Sequence, residues 1–268
     1  MGFLGYLSLY VRMQHANLRS RLMYPFNFFF GIFAVTGSGA FSIAFLYVLT
    51  RKIPVLAGWS FYEVVFIASM SMISYSVSFI FFIQLQEIDY YIRFAEFDRI
   101  LVRPLNPLFQ FICKRINVNS VGPTAFATGT LIYSGYHLRD WDLLSILLTV
   151  LLLFCGTVVC TSILLLIASV AFRFLQSGGL FELREAIYDN VSDFPITFFP
   201  KWFQAFLTFV LPQGFMGFYP AVYLIGRSDQ SMFGNSVLLA CLVATVCFAL
   251  LSYYAWSRAI RSYAGAGS

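Results

Sequence analysis

Charge is scarce in this 268-residue chain: only 11% of its residues are Asp, Glu, Lys or Arg, against roughly 25% in an ordinary soluble domain. Acid is scarcest, with 12 Asp and Glu against 17 Lys and Arg. The chain has no G-x-x-x-x-G-K-[ST] stretch, so it cannot cradle nucleotide phosphates in the P-loop manner. It has no H-E-x-x-H either, and its two histidines, His15 and His137, fall on opposite sides of the membrane inferred below, where they cannot share a metal. Five cysteines (Cys113, Cys155, Cys160, Cys241 and Cys247) are an odd number without metal-ligand spacing, and they read as small buried residues.

What is present in excess is hydrocarbon. Hydrophobic residues make up 60% of the chain, including 32 Phe and 16 Tyr. A soluble core could not hide so much aromatic surface, so the bilayer is the expected host. A helix needs about 20 apolar residues to cross a hydrocarbon core of roughly 30 Å. Six runs are candidates: 26–49, 61–85, 116–133, 143–172, 198–218 and 236–256. The third is polar for a span, with Asn117, Asn119, Gly122 and Pro123, and is expected to face other protein.

With a cytoplasmic N-terminus, thirteen of the 17 basic residues fall on the cytoplasmic side, including Arg184 and Lys201, and Arg51, Lys52, Arg139 and Arg227 fall outside. That bias predicts both termini in the cytoplasm, and it makes the net charge of +5 a sign of orientation and not of a nucleic-acid partner. Residues 1–25 carry Arg12, His15, Arg19 and Arg21 with no acid and read as an amphipathic helix on the membrane surface, bent into the first span at Pro25. The expected fold is therefore an all-α polytopic membrane protein of one domain, with an N-terminal elbow and six transmembrane helices.

Three further features invite a chemical reading. Asp140 and Asp142 could imitate a metal-binding D-x-D pair of a transferase, although two aspartates around a Trp at a membrane boundary are far more often a helix cap. Ser71, Ser74, Tyr75 and Ser78 share one helix face, which suits close helix packing or a substrate path. In "LPQGFMGFYP", residues 211–220, Pro212 removes a backbone donor and Gly214 loosens the next turn. A break follows, with a re-entrant segment whose Phe215, Phe218 and Tyr219 would narrow an exit as an aromatic gate. No carboxylate stands mid-span in these six runs, which removes the usual machinery of an ion-coupled carrier.

The loop at 86–115 holds "AEFDRILVRPLNPLFQ", residues 95–110, and the fifth run holds "FVLPQGFMGFYPAVYLIG", residues 209–226. With the six spans and the basic elbow, these stretches resemble the bacterial type-two ABC exporter permeases. The resemblance covers nearly the whole chain. It implies a transmembrane permease subunit of the bacterial inner membrane, paired with a second permease copy or a related one. Separate ATPase subunits would bind ATP and Mg, leaving no cofactor and no catalytic residue in this chain. It also implies that a coupling helix within 86–115 meets the ATPase, through Arg93, Glu96, Asp98, Arg99, Arg103 and Pro104. An unidentified amphipathic substrate would move outward. A membrane-embedded lipid or sugar transferase and a secondary carrier are the alternatives.

Overall fold

The computed structural model describes residues 8, 10–15, 19, 23, 25–52 and 58–263, and they are helical with no sheet. Most of the elbow expected over 1–25 lies outside the described residues. Residues 10–15 are helical, and Gln14 Nε2 donates to the Cys113 carbonyl at 3.0 Å.

The main helices are α1 (Pro25–Lys52), α2 (Phe61–Phe82), α3 (Ile88–Arg93), α4 (Asp98–Leu101), α5 (Pro107–Ile112), α6 (Val121–Leu138), α7 (Leu143–Phe174), α8 (Gly178–Val191), α9 (Lys201–Ala205), α10 (Phe218–Leu224) and α11 (Val237–Arg261). Among the described residues four helical stretches are long and apolar enough to cross a membrane: Phe28–Arg51, Phe61–Arg93, Leu143–Phe174 and Gly234–Arg261. A fifth candidate is the bent pair Lys201–Val210 and Gln213–Leu224, which meet at 75°. The third run forms α6, which is shorter and more polar and packs between α1 and α2.

α2 is the hub. Its apolar window is 72% buried by the rest of the chain, whereas that of α1 is 6% buried, with Phe26, Phe29, Phe33 and Phe41 exposed on it. Hydroxyls fix the neighbours of α2: Ser69 pairs with Thr130 of α6 at 2.8 Å, Thr124 of α6 donates to Ser76 at 2.8 Å, and Ser78 pairs with Thr161 of α7 at 2.9 Å. Within lipid the hydrophobic effect does not hold helices together, so such small polar contacts and close packing must do so.

The chain beyond α7 takes a route the sequence did not announce. Residues 177–197 pass antiparallel to α2, touching it or its flanks at three levels. At one end the Ser177 and Gly178 amides and the Ser177 hydroxyl donate to the Asp89 carboxylate at 2.6, 2.9 and 2.6 Å. Midway Tyr188 stacks on Tyr75 at 3.9 Å, and at the far end Trp59 Nε1 donates to Thr197 Oγ1 at 3.1 Å. The segment that carries Arg184 and leads to Lys201, both counted on the cytoplasmic side by the charge bias, thus passes beside the membrane-spanning hub.

The fifth apolar run is broken where Pro212 predicts, but it folds as a hairpin. A π-helical turn over Phe206–Val210 precedes the break, closed by the Leu211 amide donating to the Phe206 carbonyl at 2.9 Å. The hairpin starts just past Thr197, at the Trp59 end of α2. Its tip reaches mid-helix, where Ser74 Oγ donates to the Met216 carbonyl at 2.9 Å. It then returns to Trp59, whose ring lies 5.9 Å from that of Phe218. An ion pair closes the return, with Arg227 Nε 2.7 Å from Glu63 Oε1 and Arg227 Nη1 donating to the Gly58 carbonyl at 2.7 Å.

Candidate functional site

The 86–115 segment is built on an apolar foot. Phe97, Ile100 and Phe111 are buried against Phe172 of α7 and Trp256 of α11, so the loop is anchored in the cores of two long helices. The helix that follows Glu96 is only the four residues of α4, because Ala95 turns the backbone into the left-handed region (φ 56°) and ends the preceding helix. Glu96 therefore lies in a turn. Asn106 caps α5 by accepting from the Phe109 amide at 3.2 Å, with Pro107 at the first helical position, where its missing N–H costs nothing. Gln110 staples the stretch between them, with Nε2 donating to the carbonyls of Ile100 (3.2 Å) and Leu105 (2.8 Å).

The surface carried by this foot is sticky and basic. Arg93, Arg99, Arg103 and Pro104 are exposed, and among them stand Phe94 (62% exposed) and Val102 (85%). Asp98 is half-buried. To one side Arg115 pairs with Glu87, and Lys114 Nζ sits 4.0 Å from the centre of the Tyr91 ring. Desolvation lowers the Lys114 pKa, and burial pushes the Cys113 thiol up to about 11.

The second cluster is at the waist of α2. Arg184 of α8, expected in solvent, is 1% exposed. Its Nη2 donates to Cys160 Sγ of α7 at 2.9 Å, and its guanidinium lies 4.8 Å from the Tyr75 ring and 5.2 Å from that of Phe79. Among the described residues Nε and Nη1 have no hydrogen-bond partner. The cation is held by ring faces and a thiol, an arrangement worth about 2 kcal/mol or more per ring when water is excluded. The sequence carried a signal for this: Phe181, Arg184, Tyr188 and Val191 recur at helical spacing, so Arg184 occupies the middle of the buried stripe.

Beside this cluster a cavity of about 520 Å³ opens between α1, α2 and α8. Ser38, Ser42, Ser76, Tyr188, Asp189 and Asp193 give it a polar wall, and Phe41 and Met72 an apolar one. Of the hydroxyl face predicted on α2, Tyr75 reaches this cavity, while Ser71, Ser74 and Ser78 are buried in contacts with neighbouring segments. Packing, the plainer of the two readings, describes those three serines. Phe215, Phe218 and Tyr219, expected at an exit, are buried in the chain's own core at 4%, 2% and 0% exposure. Tyr219 OH meets Thr208 Oγ1 at 2.7 Å, tying the two arms of the hairpin together beside Gly214.

Asp142 turns out to cap α7, accepting from the Ser145 amide at 3.1 Å, and the bonds with Ser145 hold its carboxyl below the usual range. Among the described residues no three His, Cys, Asp or Glu side chains are grouped to hold a metal ion. All five cysteines are free, and Cys247, read as buried, is exposed on α11.

No curated protein and no solved structure matches the chain. The family described as ABC-2 family transporter protein matches residues 37–267, which takes in α2 to α11 and most of α1. Three of the four long apolar helices, most of the first, the anchored basic loop and the broken run near the C-terminus lie inside that match, and the chain is a multi-pass membrane protein belonging to the ABC-2 type permease family.

Proposed function

We propose that the chain is one permease subunit of an ATP-driven exporter of the bacterial inner membrane, working as a pair with a second copy or a related permease. ATP and Mg are bound by separate ATPase subunits. The observation that carries the pairing is α8. It runs beside the spanning helix α2 with Glu182, Asp189 and Asn190 exposed and Glu185 half-buried in the single chain, and carboxylates at the depth this position implies need water or protein beside them. A second permease facing α1 and α8 would enclose these groups around a polar path for an amphipathic cargo. Tyr75 and the serines of the 520 Å³ cavity would line the near wall. The buried rings of residues 215–219 mean that any gating here moves the 201–224 hairpin as a body.

The topology we propose has six crossings with both termini cytoplasmic. The fifth crossing is residues 178–198, and 201–224 is a hairpin re-entering from outside. Moving Lys201 outside and Arg184 into the core leaves eleven basic residues on the cytoplasmic side against five outside, so the orientation rule still holds. With a membrane-impermeant thiol reagent applied to intact cells, Lys201→Cys is expected to label fully and Asp98→Cys only after the cells are opened. Protection of Lys201→Cys in intact cells would reverse the assignment of residues 178–198.

The exposed tip of the 86–115 loop is the surface we assign to the ATPase. Its arginines can pair with a partner's acids, while Phe94 and Val102 enter an apolar pocket. Capture of the tagged chain from its native membrane is expected to bring down an ATPase in equal amount. Arg103→Glu combined with Val102→Glu should cut that capture at least tenfold, the equivalent of about 1.4 kcal/mol, while the chain still elutes as a single folded species. Substrate movement without any captured ATPase would favour a secondary carrier. Loss of a chemical activity on changing Asp140 or Asp142 would favour a transferase.

A further inference from the structure

Where the lower ends of α7 and α11 meet the start of α8, a groove of about 500 Å³ opens on the outside of the molecule. Its walls are hydrocarbon, with Ile167 and Val170 from α7 and Leu180 from α8. Its mouth is cationic, formed by Arg173 and Arg258. Both arginines are exposed, and neither is in an ion pair: among the described residues the ion pairs are Arg115 with Glu87 and Arg227 with Glu63. Arg258 Nη1 donates to Tyr254 OH at 3.2 Å, and the Arg173 guanidinium lies 5.8 Å from the centre of the Phe174 ring. No acidic side chain lines the groove.

Helix lengths place the mouth at the membrane surface. Arg173 is 30 residues below Leu143, the first residue of α7, a rise of about 45 Å that matches a bilayer of roughly 40–45 Å measured through both headgroup layers. Arg258 is 21 residues below Val237, the first of α11, or about 32 Å, just past a hydrocarbon core of roughly 30 Å. Two independent helices thus bring a guanidinium to headgroup level on the same side, above a wall that only acyl chains could solvate. The surrounding surface is lipid-facing in character, with Phe174, Leu183, Leu250 and Tyr254 all exposed.

We infer that this groove is a binding site for one anionic phospholipid. Its phosphate sits between Arg173 and Arg258, and an acyl chain lies along Ile167, Val170 and Leu180. The charge complementarity selects the lipid: a zwitterionic headgroup would place its own cation among the two guanidinium groups, whereas a phosphatidylglycerol or cardiolipin headgroup adds none. With the orientation proposed above, the site belongs to the cytoplasmic leaflet, whose anionic lipid attracts clustered Lys and Arg. The lipid would bridge α7, α8 and α11, and so would bias the setting of α8 against α7 beside the polar cavity.

The test is native mass spectrometry of the purified full chain, released from detergent micelles carrying equal amounts of phosphatidylglycerol and phosphatidylcholine. Wild-type protein is expected to retain one phosphatidylglycerol in at least tenfold preference. Arg173→Gln with Arg258→Gln should abolish the preference, and Arg99→Gln with Arg103→Gln, which removes the same charge elsewhere, should leave it intact. Val170→Trp, which fills the groove and spares both arginines, should also lose the lipid. Equal retention in wild type and in the Arg173/Arg258 variant would overturn the site. Displacement by millimolar inorganic phosphate would overturn the lipid in favour of a free anion. Retention unchanged by Val170→Trp would show that the acyl chain does not occupy the groove. Because the readout is lipid retention alone, it stands or falls separately from transport and from ATPase capture.

Discussion

Gly217→Val is expected to leave almost no chain that survives detergent extraction as a folded, monodisperse species, and to destabilise what remains by about 3 kcal/mol or more. At this position the hairpin returns across the face of α2. A Cβ atom on Gly217 would lie 2.8 Å from both the Ile67 carbonyl oxygen and the Ser71 amide nitrogen, with Ser71 Oγ nearer still. Two of the three obstacles are backbone, so no rotamer change relieves the contact. The neighbouring Gly156 of α7 is closed in the same way, since a Cβ there would meet the Met216 carbonyl oxygen at 2.9 Å and Ser74 Oγ at 2.5 Å. The three segments meet at a point where only hydrogen and hydroxyl fit, and this explains why serines stand at 71 and 74. Gly129→Ala in α6, where a Cβ meets nothing within 4 Å, is the control and should be neutral or stabilising by about 1 kcal/mol. Extraction yield and thermal melting in detergent read both variants, and a Gly217→Val protein that melts like wild type would mean that the hairpin does not sit against α2.

The parts of this fold that the sequence declares are the ones lipid demands. α1, α7 and α11 had to be long apolar runs because their surfaces meet hydrocarbon, α2 because it is the apolar hub they pack around, and any reading by length and hydropathy finds all four. The helix break at Pro212 is legible for a different reason, since proline has no N–H to give and the π-helical turn before it absorbs the mismatch. The direction of the chain after the break is not local: it depends on Gly217 meeting Ser71 and on Arg227 meeting Glu63, pairs more than 140 residues apart. α8 misleads for a physical reason as well. A segment that packs beside a spanning helix and lines a polar cavity need not be apolar all round, so Glu182, Glu185 and Asp189 give it the pattern of a solvated helix. Its tell was Arg184 in the apolar stripe, a position where a solvated helix has no reason to place a cation. In the 86–115 loop the exposed arginines were visible, but the foot was not, because Phe97 finds Phe172 and Trp256 only through the fold.

Tyr75→Ala should be among the most damaging single changes at the waist, and the reason is the charge it would strand. Arg184 lies buried with two of its guanidinium nitrogens unpartnered, its cation resting 4.8 Å from the Tyr75 ring and 5.2 Å from the Phe79 ring. Removing the Tyr75 ring deletes the nearer face, opens a void, and unstacks Tyr188, which lies 3.9 Å away. The void and lost packing cost about 3 kcal/mol in a well-packed core, and the loss of a desolvated cation–ring contact adds about 2 kcal/mol. Only the second part needs the cation. Arg184→Met keeps the length of the side chain without its charge, and replacing a buried ion by a hydrophobic residue of similar volume is often neutral or stabilising. In the Arg184→Met background, Tyr75→Ala should therefore cost about 2 kcal/mol less than in the wild type, and the difference is the coupling between ring and cation. Tyr75→Phe, which keeps the ring, should stay close to wild type in both backgrounds. Equilibrium unfolding in mixed micelles measures all four corners of the cycle. If Tyr75→Ala costs the same with and without the arginine, the rings do not hold the charge, and the two unpartnered nitrogens of Arg184 must be satisfied by water reaching them from the adjoining cavity.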